Sequence, residues 1–133
     1  MKHRDIQLLK KIISECKDII RYTNEVGEKG FLENDVYQKA TAMSLLNIGE
    51  HANALTRELW TEYKDIQWRK IVDLRNIVAH GYGELRMELV WNLSQKEVPA
   101  LMEQLEGLLK VEVDFGKQPV GNCPQVPAGQ GKG

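Results

Sequence analysis

The sequence predicts an all-α fold, an up-and-down bundle of four to five helices with no sheet. Three observations point there. Apolar residues recur three and four apart through the long stretches of the chain, the period of an amphipathic helix rather than a strand. Turn and capping residues fall between those stretches, around Gly27, Asn34, Tyr63 and Ser94. Beyond Val111 the composition turns to Gly, Pro, Gln, Asn and Lys, which leaves 1–112 as one domain and 113–133 as a disordered tail outside it.

The first helix is expected from about Asp5 to Asn24, with Ile6, Leu9, Ile13, Cys16 and Ile20 on one face and lysines opposite; His3 lies ahead of it. Gly27 and Gly30 bracket a turn. Asn34 or Asp35 can cap the second helix, and Asp35 with Gln38 fits a capping box. That helix is expected from Val36 to Trp60, with Val36, Ala40, Met43, Leu46, Ile48, Ala52, Leu55 and Leu59 as its apolar positions. Gly49 lies in its middle, where glycine costs roughly 1 kcal/mol relative to alanine and so needs a reason. Ala42, Gly49 and Ala52 supply one: a strip of small residues onto which another helix can pack closely. After a break at Tyr63 to Asp65, Asp65 is the candidate N-cap of a third helix. Leu85, Leu89 and Leu93 then recur every four residues, with Met87, Val90 and Trp91 beside them. Ser94 with Glu97 is a capping-box signal and Pro99 is tolerated only near a helix start, which places a kink or a new start between Asn92 and Pro99. Val98, Leu101, Met102, Leu105, Leu108 and Leu109 give an amphipathic last helix.

At 133 residues and 42% hydrophobic content the chain makes one domain, small enough to favour oligomerisation. Its formal charge of -1 excludes a protein held to nucleic acid or membrane by its overall field; any such contact must come from a local cleft. With no signal peptide and no long apolar run, the expectation is a soluble cytoplasmic protein without a membrane partner. Cys16 and Cys123 give neither a disulfide framework nor zinc spacing, and read as a core thiol and an exposed free one. Neither a metal site nor a phosphate-cradling glycine loop is legible, so no cofactor is expected.

The third helix concentrates the chemistry. Trp68, Ile71, Val72, Arg75, Val78, Ala79 and Tyr82 form an apolar stripe interrupted by one arginine, and Arg69, Asp73, Asn76 and His80 form a polar stripe beside it. A guanidinium cannot shed its charge, so Arg75 must find acceptors or a wet cleft. Glu50 is a candidate partner, with a solvated glutamate as the alternative. At roughly 100° per residue Asn76 and His80 share a face, whereas Arg75 and His80 diverge by roughly 140° unless arginine's reach or a helix end near Gly81 brings them together. Gly81 suits the left-handed residue that closes a helix, which would leave His80 on the last turn. The residues alone favour a core arginine paired with an acid, a surface histidine and a core Tyr82 with its hydroxyl satisfied.

Arg75, Asn76, His80 and Tyr82 together resemble the Arg-x4-His-x-Tyr signature of the HepT-like ribonuclease toxins, members of the all-helical HEPN superfamily. Ile48, Gly49 and Glu50 are similar to that family's Ile-Gly-Glu-small-small stretch, with His51 standing where a small residue is expected. His51 is either an ordinary helix residue or a lining residue of the cleft. The resemblance is densest from Trp68 to Trp91 and thinner from Tyr22 to about Leu109. It implies a metal-independent endoribonuclease acting on tRNA or mRNA. RNA carries its own nucleophile, the ribose 2′-hydroxyl, so cleavage needs a base, an acid for the leaving oxygen and a cation for the phosphorane. His80 can serve as acid or base, Arg75 offers a fork to phosphate oxygens, and Asn76 would position the substrate. One histidine per chain is one group short; the resemblance implies a homodimer that places two Arg/His pairs in one cleft. It further implies an MntA-like nucleotidyltransferase antitoxin that transfers AMP from ATP to Tyr82, adding bulk and negative charge beside Arg75 and His80. Two other readings stay open: a non-catalytic helical subunit that binds a nucleotidyltransferase or nucleotide through the same face, and a structural dimer in which Arg75 belongs to a buried ion pair.

Overall fold

The structure is a computed structural model that describes residues 1–117, with side chains through 112. Every element among the described residues is helical: α1 His3–Glu33, α2 Asp35–Ala54, α3 Arg57–Glu62, α4 Trp68–Gly81, α5 Met87–Asn92 and α6 Val98–Lys117. α2 sits between α1 and α4, and α1 packs on its other side against α5 and α6. A π-helical turn, Leu93–Glu97, joins α5 to α6 with helical dihedrals at both joints, so the two make one bent rod. The all-α bundle expected from the periodicity is therefore present, as four rods and the short α3. Leu9, Ile12, Ile19, Phe31, Leu45, Ile48, Val90, Val98 and Leu105 are buried at its centre. No helix among the described residues is long and apolar enough to cross a membrane. The backbone is helical to Lys117, past the position 112 at which the domain was expected to end; the remainder of the expected tail, with Cys123, lies outside the described residues.

Several boundaries differ from expectation for local reasons. The turn after the first helix is a single residue, Gly27 at φ 69° and ψ 178°, where only glycine sits without steric cost, and helical bonding resumes at once through Gly30. The buried face of α1 carries Ile12 and Ile19, while the expected Ile6 and Ile20 are half-buried. Asn34, not Asp35, caps α2: its Oδ1 accepts from the Val36 N–H at 2.9 Å and the Tyr37 N–H at 3.4 Å. Gln38 instead donates to the carbonyls of Phe31 and Leu32. Val36 and Met43, expected to face inward, are 69% and 57% exposed.

The expected long second helix breaks at Leu55 and Thr56. Thr56 turns its Oγ1 to the Leu59 N–H as the N-cap of α3. The buried Asp5 carboxylate fixes the break by accepting from the Thr56 N–H at 3.0 Å and the Thr56 hydroxyl at 2.6 Å. Asp65 caps nothing; α4 starts at Trp68, whose indole N–H donates to the Tyr63 carbonyl at 3.0 Å. Gly81 is not left-handed, having φ -136° and ψ 12°, and the chain runs on into a 3-10 turn, Tyr82–Glu84. Ser94 donates to the Trp91 carbonyl rather than capping a helix, so the kink before Pro99 is the π turn. Within α5, Val90 rather than Leu89 faces the core, and Leu89 is 47% exposed.

Candidate active site

The site is built on a backbone contact. A Cβ placed on Gly49 would lie 2.5 Å from Arg75 Cβ and 2.6 Å from the Arg75 backbone nitrogen, so α4 rides directly on α2 at the one position without a side chain. Ala42 and Ala52 of the same strip are buried as well. The contact expected at Gly49 is present, and its partner is the motif arginine itself. From that seat the Arg75 side chain extends to the residue after Gly49: its Nε lies 3.1 Å from Glu50 Oε2.

The Arg75–Glu50 pair is neither buried nor free within one chain: Arg75's side chain is 34% exposed and that of Glu50 51%. The approach is through Nε, and among the described residues neither Nη nitrogen at the end of the guanidinium makes a hydrogen bond to the protein. An end-on pair of N–H donors matches two oxygens of a phosphate.

His80 is on the last turn of α4, exposed. Because α4 is continuous from Trp68 to Gly81, Arg75 and His80 point roughly 140° apart around one helix: Arg75 faces α2 and His80 faces solvent. Asn76 is exposed on the same face as His80, its Nδ2 3.5 Å from Asp73 Oδ1. Tyr82 is half-buried in the 3-10 turn with its ring against the core edge. The structure thus brings Gly49, Glu50 and Arg75 together and leaves His80 and Asn76 on a neighbouring face.

His51 is turned from this face towards α1. Burial, then the Lys11 ammonium, push its imidazole below the ordinary value of 6.5, against the opposing pull of Glu15 and Glu50. Cys16 is a core thiol: burial first, then Glu15 and Glu106, push it up to about 12. Among the described residues no group of three or more His, Cys, Asp or Glu is placed to hold a metal ion.

A family model described as Ribonuclease HepT-like matches residues 12–108, which include Gly49, Glu50, Arg75, Asn76, His80 and Tyr82. The chain belongs to the HepT-like ribonuclease family. Three curated relatives match this HepT-like chain over nearly their whole length. The Methanocaldococcus jannaschii protein named "Putative RNase MJ0127" is 30% identical over 111 residues, covering 83% of this chain and 92% of the relative. "Putative RNase MJ1380" of the same organism is 26% identical over 107 residues, covering 80% and 98%. "Putative RNase TTE0752" of Caldanaerobacter subterraneus subsp. tengcongensis is 27% identical over 104 residues, covering 78% and 93%. No solved structure matches the chain.

Proposed function

We propose that this HepT-like protein is a cytoplasmic, metal-independent endoribonuclease toxin that acts as a homodimer and is silenced by a nucleotidyltransferase antitoxin. The observation that carries the reading is the Arg75 guanidinium, locked onto Gly49 and Glu50 with its Nη end unspent, in a chain of a ribonuclease family. His80 of one chain takes the proton from the ribose 2′-hydroxyl, whose oxygen attacks the adjacent phosphorus. Arg75 donates to the phosphorane oxygens as their charge grows. A protonated His80 from the second chain gives its proton to the departing 5′-oxygen, leaving a 2′,3′-cyclic phosphate and a 5′-hydroxyl.

Two exposed apolar side chains support the dimer. Val36 and Met43 stand at seven-residue spacing on α2, in line with Glu50, so an apolar stripe leads to the Arg75–Glu50 pair. Ile77, 39% exposed, sits between Asp73 and His80 on the polar stripe of α4. Arg75→Ala and His80→Ala should each lower RNA cleavage by about 100-fold or more while helical circular dichroism stays intact, and cleavage should persist in EDTA. Cleavage that survives His80→Ala, or stops with the chelator, sinks the assignment.

Regulation falls on Tyr82. A phenol is a weak nucleophile until its proton is removed, so attack on ATP needs a base and metal that an antitoxin would bring. Addition of AMP to Tyr82 would set a phosphate against the Arg75 fork in competition with RNA. Incubation with the cognate nucleotidyltransferase and ATP should add AMP-sized increments in intact-mass spectra and silence cleavage. Tyr82→Phe should keep nuclease activity and stay unmodified; the same increment on Tyr82→Phe would place the modification elsewhere.

A further inference from the structure

A second part of the molecule carries charge that neither the packing nor the Arg75–His80 site uses. Where α3 turns into α4, a recess of about 430 Å³ is walled by Trp60 and Trp68 and rimmed by Lys64, Arg69 and Lys70. Among the described residues no acidic side chain lines it. All three cations are exposed, and among the described residues none of them makes an ion pair. Glu62 and Asp65 flank Lys64 in the chain, yet the recess itself is rimmed by three cations, a local grouping of the kind that holds a polyanion in a chain of net charge -1.

The wall of the recess is packed together by its own contacts. Trp60 and Trp68 stack with centroids 6.4 Å apart and planes 4° from parallel. The Arg57 guanidinium lies 3.8 Å from the Trp60 ring centre and is itself pinned to the Leu55 carbonyl at 3.0 Å and the Asn53 carbonyl at 3.3 Å. Arg69 lies 5.5 Å from the same ring, so one rim cation is held at the aromatic wall. The ring faces themselves are occupied, since Trp68 is buried and Trp60 lies between it and Arg57, so what the recess offers a substrate strand is its cations, for phosphate.

The recess also lies in line with the proposed chemistry. Arg69 and His80 belong to one stripe of α4; their separation closes about three helical turns and places them on one face roughly 16 Å apart. A strand whose scissile phosphate sits at His80 reaches the recess within a few nucleotides.

We infer that this recess is a second RNA contact, with Lys64, Arg69 and Lys70 on the phosphates of the substrate strand a few nucleotides from the cleaved bond. The inference rests on the ribonuclease reading above, and its test separates the two. The triple variant Lys64→Gln, Arg69→Gln, Lys70→Gln changes exposed side chains only, and its melting curve checks the fold. On a long single strand its KM should rise about tenfold with kcat unchanged, while cleavage of a dinucleotide stays at the wild-type rate. Binding of an uncleaved strand, measured by fluorescence anisotropy with His80→Ala as background, should lose about 2 from its log–log salt slope, near 0.7 for each phosphate contact removed. Wild-type KM and an unchanged salt slope would overturn the recess as an RNA contact, and loss of nucleotidyltransferase binding in the same variant would reassign it to the protein partner. If the wild-type protein cleaves neither substrate, the ribonuclease reading falls, and the anisotropy arm still decides whether the recess holds RNA.

Discussion

Arg75 is fixed from two directions, its Cβ over Gly49 and its Nε on Glu50, and each constraint does a different job. Gly49 sets where the side chain begins. Glu50 sets the plane of the guanidinium and so the direction in which the Nη donors aim. A half-exposed ion pair contributes under about 1 kcal/mol to stability, because water competes for both charges. Its worth lies in orientation, where a small misplacement of a donor lowers a rate far more than it lowers stability. Glu50→Ala should therefore leave the unfolding free energy within about 1 kcal/mol of wild type and lower kcat/KM for RNA about tenfold. Glu50→Gln keeps an acceptor for Nε and should recover most of the loss. Full activity in Glu50→Ala would show that Arg75 needs no second constraint.

At the level of elements, the contact of α2 with α4 decides whether there is a site. Gly49→Ala adds helix propensity of about 1 kcal/mol, yet its methyl would meet the Arg75 backbone at 2.6 Å, and backbone cannot step aside as a side chain can. The variant should lose about 1–3 kcal/mol in denaturant unfolding and most of its cleavage activity, because α4 must lift from α2 and carry Arg75 with it. Stabilisation with full activity would mean that the two helices do not meet there. This contact was legible in the sequence because a glycine inside a helix is unfavourable unless something needs the space. So was the kink before Pro99. The break at Thr56 was not, since Leu55 and Leu59 continue the helical period across it and the carboxylate that fixes it belongs to Asp5, 51 residues earlier in the chain. Gly81 and Asp65 misled in the opposite sense: both residue types favour helix ends, and both were overridden by chain that continued helical or began later. The motif residues could be named from their spacing, and the Arg75–Glu50 pair from the demand of a guanidinium for acceptors. The cations of the recess could not be grouped, because Lys64 and Arg69 belong to different segments until the α3–α4 turn folds them round Trp60.

For the whole molecule the question is what a single chain lacks. Acid–base cleavage of RNA moves two protons, one off the 2′-hydroxyl and one onto the leaving oxygen. One chain offers His80 on the solvent face of α4; Glu50 is engaged with Arg75, and His51 is turned towards α1. In the proposed dimer a second copy related by a two-fold axis would supply the missing histidine and a second arginine in one step. The difference from a self-sufficient chain is measurable without a structure of the dimer. Wild-type protein is mixed with His80→Ala at constant total concentration and left until subunits have exchanged, with light scattering to follow the mass. If each cleft needs both histidines, only pure wild-type pairs cleave, and activity follows the square of the wild-type fraction, about a quarter at an equal mixture. If each chain works alone, activity follows the fraction itself, about one half. Linear dilution, or a monomer at micromolar concentration that still cleaves at its full specific rate, would remove the shared cleft and require the second proton carrier to be found within one chain.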